Sequence, residues 1–106
     1  VNTLTVATKT SSDGVVLVVA GDLDFASAPL MREALEGVHV TAGQSLVLDL
    51  GGMTFCDSGG LTALVAARHQ AVEAGAEIVL AAVPDHTRRI LKLVGLESLF
   101  VLRPQA

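Results

Sequence analysis

The chain has no tryptophan, no tyrosine and only 3 phenylalanines. Its core must therefore be aliphatic, built from Val, Leu, Ile and Ala. Cys56 is the only cysteine, which excludes an internal disulfide and any metal site needing paired thiolates. His39, His69 and His86 stand far apart and share no ligand spacing, so neither a metal nor a cofactor is expected. Basic residues are scarce: 7 Lys and Arg against 11 Asp and Glu, for a net charge of −4. A nucleic-acid partner normally demands a basic stripe. The one local basic cluster, Arg88, Arg89 and Lys92, reads as a solvated helix face, and no direct nucleic-acid contact is expected. No run approaches the roughly 18 apolar residues of a membrane span. No basic start followed by an apolar stretch marks a secretory signal. The expected address is the cytoplasm, without membrane contact.

What is present is a hydrophobic chain, 51% apolar over 106 residues. That suits one compact domain, 1–106, with a core large enough to fold without cross-links. Leu4, Val6 and Thr8 alternate with Thr5 and Ala7, as in a half-buried strand. Ser11-Ser12-Asp13-Gly14 signals a turn. The run 15–20, VVLVVA, suits a strand buried on both faces. Gly21-Asp22-Leu23-Asp24 closes it. Ser27 is the expected N-cap of a helix over 28–36, with Pro29 near its first turn.

A third strand is expected over 46–50, and 51–55 reads as the loop leading to Cys56-Asp57-Ser58. Leu61, Leu64, Val65, Arg68 and Val72 share one stripe of the longest helix, about 58–74, stopped by Gly75. A strand over 77–83 precedes a helix opened by Pro84-Asp85, with Ile90, Leu91, Leu93 and Val94 as its apolar face. A short strand over 99–102 ends the chain. The order β-β-α-β-α-β-α-β describes an α/β fold. An N-terminal hairpin is followed by alternating strands and helices, giving a mixed sheet with parallel pairing after the hairpin.

The most informative feature is Asp57-Ser58-Gly59-Gly60 opening the longest helix. The plainest role for Ser58 is a helix cap, its hydroxyl accepting a backbone N–H. The two glycines argue for more. Each costs roughly 1 kcal/mol against alanine inside a helix, and such local conflicts mark functional sites. Glycine would also let a partner backbone or a nucleotide phosphate approach the hydroxyl. A phosphate on Ser58 would lie at a helix N-terminus, whose free N–H groups favour an anion. Asp22 and Asp24, past the end of a strand, would share that rim.

These residues resemble the STAS domain, specifically the stand-alone anti-sigma factor antagonists of bacteria. Gly21-Asp22-Leu23-Asp24 is similar to the family's Gly-x-Leu-Asp turn. Leu46-Val47-Leu48-Asp49-Leu50, followed by Met53 to Leu61, resembles its central strand and phosphorylation motif. Val94-Gly95-Leu96 with Leu99-Phe100 is similar to its last helix-to-strand turn. The resemblance implies partner switching. An unmodified antagonist binds an anti-sigma factor, itself an ATP-dependent serine kinase, and so frees the sigma factor. Phosphorylation ends the binding and a serine phosphatase restores it, with no catalysis by the antagonist. It implies Ser58 as phosphoacceptor, with Asp22, Asp24, Asp57, Gly59, Gly60 and Leu61 in the acceptor turn and partner footprint. The family often has Asp-Ser-Ser-Gly; with Gly59 in the second position, Ser58 is the sole acceptor of the motif.

Cys56 reads as small core filling beside a buried strand. Asp49, inside an apolar strand, is expected to bond nearby backbone N–H groups, because an unpaired buried charge is expensive. A serine hydrolase fits poorly: Cys56 occupies the first glycine position of Gly-x-Ser-x-Gly, and no histidine is singled out for a triad. A phospho-aspartate receiver fits poorly as well, because it has no starting hairpin and needs a late-strand lysine that is missing here. The remaining alternative is a STAS module that binds a ligand or a protein assembly without phosphorylation.

Overall fold

A computed structural model describes residues 2–106. Strands β1 (Thr5–Ser11) and β2 (Gly14–Leu23) are followed by helix α1 (Ala28–Glu36) and strand β3 (Ser45–Cys56). Helix α2 (Ser58–Glu73), strand β4 (Glu77–Ala81), helix α3 (Asp85–Leu93) and strand β5 (Val101–Arg103) complete the order. The sheet order is β1-β2-β3-β4-β5. β1 pairs antiparallel with β2 across the Ser11–Gly14 turn, and the other pairs are parallel. This is the mixed α/β architecture expected.

Because each crossover advances to the next strand in the same direction, right-handed connections deliver all the helices to one face. The packing agrees. Leu17, Val19, Leu46, Leu48, Leu50 and Leu80 from the strands share one buried cluster with Met31, Leu35, Leu64 and Leu91 from the helices. The opposite face carries a smaller cluster, Val47, Val79 and Ala81, with Val16 packed against it and no helix residue in it. β2 therefore alternates between buried and half-buried residues, where burial on both faces was expected. Arg103 pairs with Glu77 at 3.1 Å on that second face, well exposed, so the bridge adds little stability.

Several boundaries differ from the expected ones. β2 runs on through the Gly21-Asp22-Leu23 segment, and β3 extends to Cys56, so 51–55 is strand and not loop. β4 stops at Ala81 because Ala82 turns to φ +53 and Pro84 follows. A 3-10 turn at Glu97–Leu99 occupies the start of the expected last strand, which begins at Val101.

The buried face of α2 is Gly60, Ala63, Leu64, Ala67 and Ala71, while Val72 is 54% exposed. The small residues let the helix lie close to the sheet. The flanking polar groups are used: Gln70 Nε2 donates to the Leu35 and Val38 carbonyls, and Arg68 Nε to the Leu99 carbonyl. In α3 the buried residues are Thr87 and Leu91; Leu93 and Val94, expected inward, are exposed. Arg88, Arg89 and Lys92 lie on its exposed surface, with Arg88 3.5 Å from Glu97.

Candidate functional site

The site forms where β2 and β3 end and α1 and α2 begin. Up to Val18 and Asp49 the two strands run in regular register. Beyond that point the pairing shifts twice, between Val18 and Ala20 and again between Gly21 and Asp22. Each shift leaves an extra residue on β3, which is what a β-bulge does. Burial on β3 then recurs every third residue: Leu50, Met53 and Cys56 are buried, while Gly51, Gly52, Thr54 and Phe55 are exposed. The bulges thus turn Phe55 outward while Cys56 still reaches the core. Asp49 Oδ1 accepts the Gly51 N–H at 3.1 Å, the backbone bond expected of it, and supports the first bulge.

Asp57 holds the rim together. It is the N-cap of α2, and its Oδ1 accepts the Gly60 N–H at 3.0 Å. Its Oδ2 accepts the Phe25 N–H at 3.3 Å. One carboxylate therefore caps α2 and pins the β2–α1 turn against it. The Gly60 N–H, and secondarily that of Phe25, holds the Asp57 carboxyl below the ordinary aspartate value.

Ser58 is the first residue of α2 and is exposed. Because Asp57 makes the cap, Ser58 does not. Its backbone carbonyl accepts the Thr62 hydroxyl at 3.0 Å, but its own Oγ makes no hydrogen bond among the described residues. Of the N–H groups expected to favour a phosphate here, that of Gly60 is already taken by the Asp57 carboxylate.

The two glycines also have a different reason from the one expected. A Cβ on Gly59 would come within 2.6 Å of Phe25 Cα, and one on Gly60 would strike the Leu23 carbonyl and approach Cys56 Sγ to 2.7 Å. Both sites face the chain's own β2–α1 turn, not an approaching partner. The glycines let the first turn of α2 dock beneath Leu23 and Phe25. Leu61 is half-buried against the main core. Cys56 is buried below the same turn, and burial pushes its thiol up to about 11, which keeps it protonated and unreactive at neutral pH.

Asp22 and Asp24 are on this rim, yet their carboxylates are engaged elsewhere. Asp22 Oδ1 accepts the Thr54 hydroxyl at 2.7 Å, and Oδ2 accepts the Asn2 N–H at 3.0 Å. The Thr54 bond is the main reason its carboxyl sits below the ordinary value. Asn2 Nδ2 also donates to Thr54 Oγ1 at 3.2 Å, so Asn2 is tied across the second bulge. Asp24 Oδ1 accepts the Ser27 N–H, and Ser27 Oγ accepts the Asp24 N–H, both at 2.9 Å. This reciprocal pair is a capping box one turn ahead of α1. Ser27 itself makes no side-chain cap of α1, contrary to expectation, because its hydroxyl oxygen accepts the Asp24 N–H instead while its proton goes to the Asp22 carbonyl at 2.8 Å.

Phe25, 82% exposed, was not singled out in the sequence. The Gly-x-Leu-Asp turn just before it was the available signal. Among the described residues no group of His, Cys, Asp and Glu could hold a metal ion, and no helix is long and apolar enough to cross a membrane.

Comparison with known proteins fits this geometry. The family described as Mlab, STAS domain, matches residues 6–103. The anti-sigma-B factor antagonist of Listeria monocytogenes is 32% identical over 92 residues, covering 87% of this chain and 81% of that protein. A Pseudomonas aeruginosa protein named for its STAS domain alone is 34% identical over 92 residues, covering 85% of this chain and 90% of its own. The crystal structure of an anti-sigma factor antagonist from Mycobacterium paratuberculosis superposes with a TM-score of 0.79 at 30% identity, covering 97% of this chain and 87% of that one.

Proposed function

The chain belongs to the STAS domain family, and on that footing we propose that it is an anti-sigma factor antagonist switched by phosphorylation of Ser58. We take 1–106 as one such domain, acting in the cytoplasm and without catalysis of its own. Its partners in this reading are an anti-sigma factor that is also a serine kinase, and a serine phosphatase that resets the switch. The names of the Listeria and Mycobacterium relatives support the general role.

The observation that carries the chemistry is the free hydroxyl of Ser58. It is exposed on the rim, and the capping duty that would otherwise explain it is performed by Asp57. A kinase would meet an unengaged nucleophile presented at the first position of a helix. Phosphorylation adds a charge of about −1.5 to −2 directly beside a carboxylate already claimed by the helix end. The domain loses little, because the group points into solvent. A surface packed over this rim would have to bury that charge. A loss of about 3 kcal/mol there lowers affinity by on the order of a hundredfold.

The test is incubation of the purified chain with ATP and each anti-sigma factor kinase of its source organism, followed by mass spectrometry. One phosphate on Ser58, absent from Ser58→Ala and accompanied by weaker binding to the same kinase, is the expected result. Tight binding with no phosphate on Ser58 would remove the switch. It would favour the second reading, a STAS module that binds a ligand or an assembly. The Pseudomonas relative, named for its domain alone, leaves room for that reading, and a ligand-dependent thermal shift would mark it.

A further inference from the structure

Two of the chain's 3 phenylalanines stand in solvent on this one edge: Phe25 is 82% exposed and Phe55 51%, whereas Phe100 is buried. Single exposed apolar residues are ordinary. Two aromatic rings on one rim, in a chain with no tyrosine or tryptophan, are not. Neither is a stray side chain on a loose loop. Phe55 is turned out by the second bulge, in register with Asp22. Phe25 is held by its N–H bond to Asp57, above a glycine that leaves no room for a Cβ. With the backbone held in this way, a partner that buries the rings has only their side-chain freedom left to order.

The neighbouring polar groups narrow the occupant. The carboxylates of Asp22, Asp24 and Asp57 are each bonded within the chain, which leaves the two rings and the Ser58 hydroxyl among the unengaged groups. Three carboxylates, Asp22, Asp24 and Asp57, stand here against one nearby cation, Arg32, which lines a groove with Gly59, so the rings stand in a net negative field. A second copy would bring acid against acid, and an anionic membrane would be repelled. The complementary surface is a protein with apolar sockets bordered by basic side chains.

We propose that Phe25 and Phe55 are the anchors by which this chain grips the anti-sigma factor, each ring filling a socket rimmed by Lys or Arg. The inference rests on the partner-switching reading above. It also supplies the release step. A phosphate on Ser58 places a strongly hydrated anion on the same rim as rings that must be buried dry, so the kinase breaks the grip by modifying its edge.

The experiment measures affinity by calorimetry for wild type, Phe25→Ala, Phe55→Ala and Leu93→Ala against each purified anti-sigma factor kinase of the source organism. Leu93, 79% exposed on α3, is the equally apolar control. Thermal unfolding checks that every variant is folded. Each phenylalanine variant is expected to bind at least about tenfold more weakly, and Leu93→Ala within about twofold of wild type. Wild-type binding is expected to weaken as salt rises from about 50 to 500 mM. If wild type binds and both phenylalanine variants match it, the anchors are overturned while the partner switch stands. Binding indifferent to salt overturns the basic rim of the sockets. Wild type bound by none of the kinases overturns the partner switch and the anchors with it.

Discussion

The β2–β3 ladder has two halves built to different ends. From Gly14 with Ser45 to Val18 with Asp49 the strands stay in step, and Leu17, Leu46 and Leu48 are fully buried. Between Val18 with Asp49 and Leu23 with Cys56 the register shifts twice, and exposed pairs interrupt the core residues of β3. The regular half commits both neighbours of each residue to the sheet and has nothing left to offer a partner. The irregular half gives up alternation, and with it Phe55 and the start of α2 are turned to the surface. Regular pairing stabilises; broken pairing presents. Substitutions can separate the two roles.

The largest effect is expected in the regular half. Leu48→Ala should cost about 2–5 kcal/mol in urea unfolding, while the fraction that remains folded is phosphorylated on Ser58 like wild type. Loss of phosphorylation in folded Leu48→Ala would break the division between the halves. Gly60→Ala tests the junction. Its Cβ has no space below the Leu23 carbonyl and Cys56 Sγ, so a loss of about 1–3 kcal/mol is expected, together with slower phosphorylation because the acceptor turn must shift. Gly43, where a Cβ meets nothing within 4 Å but φ is +84, should cost only about 1 kcal/mol on the same substitution, through its left-handed backbone alone.

A smaller effect is expected from acid. Asp22 and Asp57 are held below the ordinary value of 3.8, mainly by the Thr54 hydroxyl and the Gly60 N–H respectively. A depressed folded value means that the unfolded chain takes up protons first. Their contribution is therefore complete above the ordinary carboxylate range and is lost as pH falls below it through the folded values. Thermal midpoints of wild type and Asp57→Asn should converge as pH drops from 6 to about 3. A constant gap between them would mean that the Asp57 carboxylate does not act through its charge. The smallest effect is Phe25→Ala, expected to change unfolding stability by no more than about 0.5 kcal/mol, since its ring touches mainly solvent. A larger loss would show that the irregular half stabilises as well as presents.

Much of this was legible beforehand. Alternation over 4–8, the aliphatic run at 15–20 and the turn between them specify the hairpin. Proline and glycine punctuation places the helices. The Asp57-Ser58-Gly59-Gly60 signature locates the rim. The misreadings share a cause. Glycines at 51 and 52 and exposed residues at 54 and 55 looked like loop, because period-two alternation fails at bulges although the backbone stays paired. Hydropathy favoured Val72 and Leu93 as core, while the space beneath α2 admits alanine, and Leu93 lies beyond the buried line through Thr87 and Leu91. Ser27 carries the right residue type for a cap, but its hydroxyl oxygen accepts the Asp24 N–H in the preceding turn instead.

The sequence by itself determined the order of strands and helices, that the sheet winds one way, and that a serine opens the longest helix, because periodicity, turn residues and crossover handedness are local or topological rules. Tertiary structure decided what the residue beside that serine holds together. Asp57 caps α2 through a local bond to the Gly60 N–H, but only when Phe25 is folded over α2 does the same carboxylate also span to the β2–α1 turn. Hydrogen-bond competition among residues more than thirty positions apart in the chain is settled by distance in space, which no spacing along the chain specifies.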